Sequence, residues 1–152
     1  MKKVFFVLLF IFTSCGYQPL YNLNKGGGDL NIKFQEISLA GNINISKKIS
    51  LSLPLELVKK EKSLNKLIIH SQKNINETSK NLKGQVDSYQ TLIEVKLSIL
   101  DHNNKLVEEK TSIKEFLYNT KDNKFEFKEY QTEIENNLIS KIVEDLSISL
   151  NF

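Results

Sequence analysis

Ile93-Glu94-Val95-Lys96-Leu97-Ser98-Ile99 alternates apolar and polar residues without a break. Side chains along a strand point to opposite faces in turn, so this stretch places Ile93, Val95, Leu97 and Ile99 on one face. Glu94, Lys96 and Ser98 take the other. The pattern predicts a strand over Val86–Leu100 with one dry and one wet face. Asp101-His102-Asn103-Asn104 follows as a turn cluster, and Leu106–Tyr118 reads as the returning strand. The expected unit is a long antiparallel hairpin.

A dry sheet face needs a cover, and the C-terminal segment supplies one. Phe127, Tyr130, Ile134, Leu138, Ile142 and Leu146 recur at spacings of three and four, and Ile139 and Val143 widen the stripe. Asn123 with Glu126 three residues later resembles a capping box at the start of this helix. Upstream, Asn31–Ala40 is a candidate first strand and Leu67–Lys73 a short one. Ile43–Lys60 is ambiguous. Ile49, Leu51, Leu53, Leu55 and Leu57 alternate as in a strand, yet Ile45, Ile49, Leu53 and Leu57 also form a helical stripe that Asn44 or Ser46 would cap. Pro54 suits the middle of neither. Helices packed on one side of a small, largely antiparallel sheet satisfy these surfaces.

The N-terminal residues belong to a different category. Met1-Lys2-Lys3 is a short positive region, and Val4–Phe12 is unbroken apolar. As a helix that run rises only about 14 Å, against about 30 Å of bilayer hydrocarbon, so its length is that of an export signal and not a membrane span. Thr13 and Ser14 are small, and the only cysteine, Cys15, comes next. Ile11-Phe12-Thr13-Ser14-Cys15 resembles the bacterial lipobox, with Phe12 where Leu is commonest. The resemblance implies cleavage before Cys15 and lipid attachment to it. Several acyl chains on one residue hold a protein to a membrane far more durably than one. Gly16 in place of Asp favours the outer membrane by resemblance to Gram-negative sorting rules.

The expected organisation is a signal peptide at 1–14, a lipidated N-terminus and flexible tether at 15–29, and one domain at 30–152. Residues 16–29 hold one of the two prolines and four of the six glycines. Gly26-Gly27-Gly28 has no following Gly-Lys-Ser/Thr, so it is read as a linker and not a phosphate cradle. The 152 residues suffice for a single domain of modest size. The formal net charge is +3, and without Lys2 and Lys3 residues 15–152 carry +1. That balance, with Lys interleaved among Glu, gives no electrostatic case for a nucleic-acid partner.

Catalytic and metal chemistry find little purchase. His70 lies in a strand candidate and His102 in a turn, and neither has ligands at zinc spacing. Asp101-His102-Asn103-Asn104-Lys105 begins like a calcium loop but lacks Gly at position six and Glu at twelve. Glu108 and Glu109 are adjacent on a strand and point to opposite faces. No serine sits in a nucleophile elbow. The expectation is a protein that is not an enzyme and holds no metal or cofactor.

Cys15-Gly16-Tyr17-Gln18-Pro19-Leu20-Tyr21 resembles the mature N-terminus of the LptE family of LPS-assembly lipoproteins, in its alphaproteobacterial form. Tyr89, shortly after Lys83-Gly84, sits where that family often has an aromatic residue. The resemblance implies a helix over Ile45–Val58, with Pro54 bending or ending it. The fold expected is then α+β: a two-layer sandwich with a mostly antiparallel sheet of about four strands and two helices on one face, in the order β-α-β-β-β-α. It also implies a non-enzymatic role as a plug in the outer-membrane β-barrel LptD, aiding that barrel's assembly and the insertion of lipopolysaccharide. Lys121 and Lys124, in the loop before the C-terminal helix, are candidate contacts to lipopolysaccharide phosphates. They rest on charge and on the anion preference of a helix N-terminus, with no family motif behind them. Two other readings stay open: a stand-alone periplasmic ligand-binding lipoprotein, and an accessory lipoprotein of another barrel-assembly machine.

Overall fold

A computed structural model describes residues 32–59 and 64–150. The expected signal peptide at 1–14, Cys15 and the expected tether lie outside the described residues. The elements run β1 (Ile32–Phe34), β2 (Glu36–Gly41), α1 (Ile43–Ser52), β3 (Leu55–Leu57), β4 (Lys66–Lys80), β5 (Val86–Leu100), β6 (Leu106–Asn119) and α2 (Lys124–Ser149). Four strands form one sheet in the order β2-β4-β5-β6. β2 runs parallel to β4, and the other neighbours are antiparallel. β1 and β3 make a separate parallel pair. Both helices close on the same face of the sheet, so the α+β two-layer fold and the β-α-β-β-β-α order of the four-stranded sheet and its helices are as the family resemblance implies.

The core is aliphatic. Leu67 and Ile69 of β4, Ile93, Val95 and Leu97 of β5, and Ile49 and Ile142 of the two helices are fully buried. Each such side chain contributes about 1.5–3 kcal/mol of hydrophobic stabilisation. The buried stripe on α2 is Ile134, Leu138, Ile139, Ile142 and Leu146, with Phe127, Tyr130 and Val143 packed beside it. Asn123 caps this helix, its side-chain oxygen accepting the amides of Phe125 (2.9 Å) and Glu126 (3.4 Å). Glu126 reaches back to the Asn123 side-chain amide and not to its backbone.

The structure revises three expected elements and one cap: the single first strand expected over Asn31–Ala40 is two, β1 and β2, in different sheets. α1 stops at Ser52 and not at Val58, because Pro54 has no amide to continue the ladder. Leu53 closes the last turn on the Ile49 carbonyl, and Leu55–Leu57 then pairs with β1. The Pro54 carbonyl accepts the Ile32 amide at 3.1 Å, so the residue that ends the helix also starts the small ribbon. β4 runs to Lys80, well past Lys73. Its polar second half is held by the register Asn74↔Leu92 to Lys80↔Val86 and not by a core of its own.

The N-cap of α1 is Asn42, which accepts the Ile45 amide; neither Asn44 nor Ser46 fills that place. Ser46 is instead buried, its hydroxyl 2.9 Å from the Ala40 carbonyl and 2.7 Å from the Ser71 hydroxyl, so that one of the two serines donates to the other and the other donates to a backbone carbonyl. The Ser71 hydroxyl also lies 2.8 Å from the Asn42 carbonyl. Gly41 permits this close joint. Its φ is +72°, and a Cβ there would lie 2.1 Å from the Ser71 carbonyl oxygen.

Candidate functional site

One end of the sheet gathers the aromatic residues of three elements. Tyr89 on β5 pairs directly with Tyr118 on β6, and their rings stack at 6.1 Å. Phe127 from α2 lies 5.7 Å from Tyr89 and 6.1 Å from Tyr118. Tyr130, one turn on, meets Tyr118 edge-on at 5.9 Å. Such pairs prefer offset and edge-to-face geometry, and each adds about 0.5–1.5 kcal/mol beyond burial. Tyr118 is buried, so its hydroxyl needs partners. It shares a 3.0 Å hydrogen bond with Thr91 and accepts one from Gln131 at 3.1 Å.

Beside this cluster lies an open groove of about 520 Å³, lined by residues 116–121 and Tyr130. Lys121 belongs to it. Its ammonium sits 4.5 Å from the centre of the Tyr130 ring, a cation–π contact. Lys124 is the first residue of α2 and is exposed, between the carboxylates of Asp122 and Glu126 in sequence. The expected loop position therefore holds for Lys121, whereas Lys124 opens the helix in different surroundings.

The remaining polar candidates have local partners. His70 contacts Gln72 on the helix-free face of β4, and His102 contacts Asn103 in the hairpin turn. Asp101 organises that turn. It accepts the amides of Lys105 (2.9 Å) and Asn103 (2.8 Å), and these bonds hold its carboxyl below the usual range. Asn104 completes the turn with φ of 62°. Glu108 pairs with Lys110 and Glu109 with Lys96, one on each face of β6. Among the described residues no group of three or more His, Cys, Asp or Glu is placed to hold a metal. Among them, too, no helix is long and apolar enough to cross a membrane.

Two ion-pair clusters fasten α2 on either flank, and sequence reasoning missed both. Glu135 accepts from Lys73 of β4 at 2.6 Å and from Lys48 of α1 at 3.1 Å. Burial opposes its charge, but the hydrogen bonds from the two lysines outweigh burial and hold its carboxyl below the usual range. On the other flank Asp145 takes hydrogen bonds from Lys114 and Ser112 of β6, which lower its carboxyl likewise. No periodicity signals these contacts, because the partners are far apart in the chain.

No family model matches the chain, and no curated protein matches its sequence. Solved structures do match in fold. Rare lipoprotein B from Shewanella oneidensis superposes with a TM-score of 0.55 at 10% identity, over 76% of this chain and 92% of that one. A minor lipoprotein from Acinetobacter baumannii gives 0.56 at 15% identity, over 78% and 93%. The described domain has the fold of these two bacterial lipoproteins.

Proposed function

We propose that this chain is an outer-membrane lipoprotein of the lipopolysaccharide translocon. In this reading it sits within the LptD β-barrel, assists the barrel's assembly and aids lipopolysaccharide insertion into the outer leaflet, without catalysing a reaction. The observation that carries the reading is a coincidence of two independent features. The segment Cys15–Tyr21 resembles the mature N-terminus of LptE proteins, and the domain after it has the fold of a bacterial lipoprotein, rare lipoprotein B.

The physical chemistry supports this use. Acyl chains on Cys15 and the Gly-rich tether hold the domain near one membrane, which raises its effective concentration at a barrel's periplasmic mouth. The helix-free sheet face carries Gln72, Glu94, Lys96 and Glu109, a surface suited to a wet lumen. Lys121 and Lys124 supply cations at one end of the domain. The groove beside Tyr130 is open to solvent, unlike the enclosed apolar pocket a lipid carrier needs.

Affinity purification of the full-length protein from membranes, with mass spectrometry of what accompanies it, tests the reading. The expected companion is a very large β-barrel, and depletion is expected to reduce surface lipopolysaccharide. Recovery of a different barrel complex, or normal surface lipopolysaccharide after depletion, would overturn it.

A further inference from the structure

β6 is the outer strand of the four-stranded sheet, and among the described residues nothing pairs with its free side. One contact fixes which of its backbone groups are unused. The Thr120 amide donates to the Asp87 carbonyl at 2.9 Å, so Asn119 and Ser88 form a wide, non-bonded pair. The antiparallel alternation then continues through an unbroken register to Ile99↔Glu108. Glu109, Thr111, Ile113, Glu115 and Leu117 therefore aim both amide and carbonyl away from the sheet. Their side chains stand on the helix-free face, because Ser112 and Tyr118 between them are buried beneath the helices.

Edge strands are ordinarily blunted by proline, a bulge or inward-pointing charge. This stretch has no proline and no bulge; its inward-facing Lys114 is engaged by Asp145, and its outer face exposes Ile113 and Leu117. The surrounding charge is one-sided. Glu94 lies opposite Ile113, and Glu115 takes only an amide hydrogen bond, from Gln90 at 3.0 Å. Among the described residues no cation pairs with either carboxylate, whereas Glu109 is matched by Lys96. A second copy paired edge to edge would lay this acidic face against itself. An incoming strand with aliphatic side chains beside Ile113 and Leu117, and a Lys or Arg beside Glu115 whose long side chain reaches across towards Glu94, suits both features.

We propose that the free edge of β6 takes up an extended strand from a protein partner whose every second residue, on the helix-free face, runs apolar, basic, apolar beside Ile113, Glu115 and Leu117. The partner's identity as the barrel rests on the function proposed above; the edge itself does not.

Photo-crosslinking in the membrane-anchored, full-length protein tests the proposal. Benzoylphenylalanine is placed at Ile113, and at Ser38 on β2 as the control. Thr111→Pro removes an amide that no sheet bond uses, so the fold is retained while an incoming strand is blocked. Glu94→Lys with Glu115→Lys reverses the face charge without touching the backbone. The expected result is a crosslink from position 113 to the barrel, absent from position 38 and reduced about tenfold or more by either variant. Unchanged crosslinking in both variants overturns the proposal. So does a crosslink to a second copy or to another segment of the same chain. A barrel that co-purifies but never crosslinks at position 113 overturns the edge assignment and leaves the proposed function standing. A different protein captured at position 113, and lost in both variants, sustains the edge assignment and overturns the barrel.

Discussion

The two halves of the sheet share strands and register but are held by different forces. Under the helices, Leu67, Ile69, Val95 and Leu97 are fully buried and meet Ile45, Ile49, Ile142 and Leu146. Beyond the helices' aliphatic stripe, no residue of β4 after Ser71 is buried. There the sheet is closed by the rings of Tyr89, Tyr118, Phe127 and Tyr130 and by hydrogen bonds of one tyrosine hydroxyl. Aliphatic burial is non-directional and tolerates little loss of volume, whereas ring contacts and hydrogen bonds are directional and individually modest. The first half is expected to set global stability, and the second to govern local opening at the end that carries the groove.

The largest break in that contrast comes from the aliphatic half. Ile142→Ala leaves a cavity at a fully buried position where α2 meets the sheet, and should cost about 3 kcal/mol. Urea unfolding would show the whole domain destabilised in one transition. A loss well under 1 kcal/mol would mean that α2 is not the cover the burial pattern makes it.

A second variant sharpens the join between the layers. Glu135→Gln leaves Lys48 and Lys73 without their shared carboxylate and should cost about 1–2 kcal/mol at neutral pH, allowing for the exposure of Lys48. The folded state lowers this carboxyl's pKa, so its stabilisation is fully present above the unfolded-state value. It is lost as pH falls through the lowered, folded-state value. Urea midpoints of wild type and variant should therefore differ at neutral pH and converge in strong acid. A constant gap across the range would assign the effect to packing and not to charge.

The smallest expected effect lies in the aromatic half. Tyr118→Phe keeps the rings but leaves Thr91 and Gln131 a partner short, at a cost of about 1 kcal/mol. Amide exchange should quicken at Val86–Gln90 while Leu67 and Leu97 hold their protection. Equal acceleration in both places would erase the proposed division.

The candidate site was only partly legible in advance. The loop position of Lys121, just before the cap at Asn123, followed from the turn and cap residues around it, but its cation–π contact did not. Nothing in the local pattern says that Tyr130 will turn its face to that loop. Tyr89 stood out by resemblance alone, and its ring partners come from strand register and helix phase together. In the sequence Glu135 is one of several carboxylates on α2, with nothing local to set it apart. It becomes a joint between three elements only because α1, β4 and α2 converge there.

Some features needed nothing beyond the chain itself. The alternation at Ile93–Ile99, the turn at Asp101–Asn104 and the stripe on α2 are short-range periodicities, so the hairpin and the C-terminal helix are written in local order. The segment from Ile43 to Lys60 is the opposite kind. Its apolar residues satisfy a helix and a strand alike, and Pro54 only marks a break. The chain becomes helical to Ser52 because Ile45 and Ile49 find the dry face of β4 and β5, while Leu55–Leu57 finds β1. The parallel pairing of β2 with β4 was likewise decided in three dimensions, through the Ser46–Ser71 joint and the room that Gly41 leaves. Periodicity tells a segment which of its faces is apolar, but only the surfaces it meets decide which of two permitted periods it adopts.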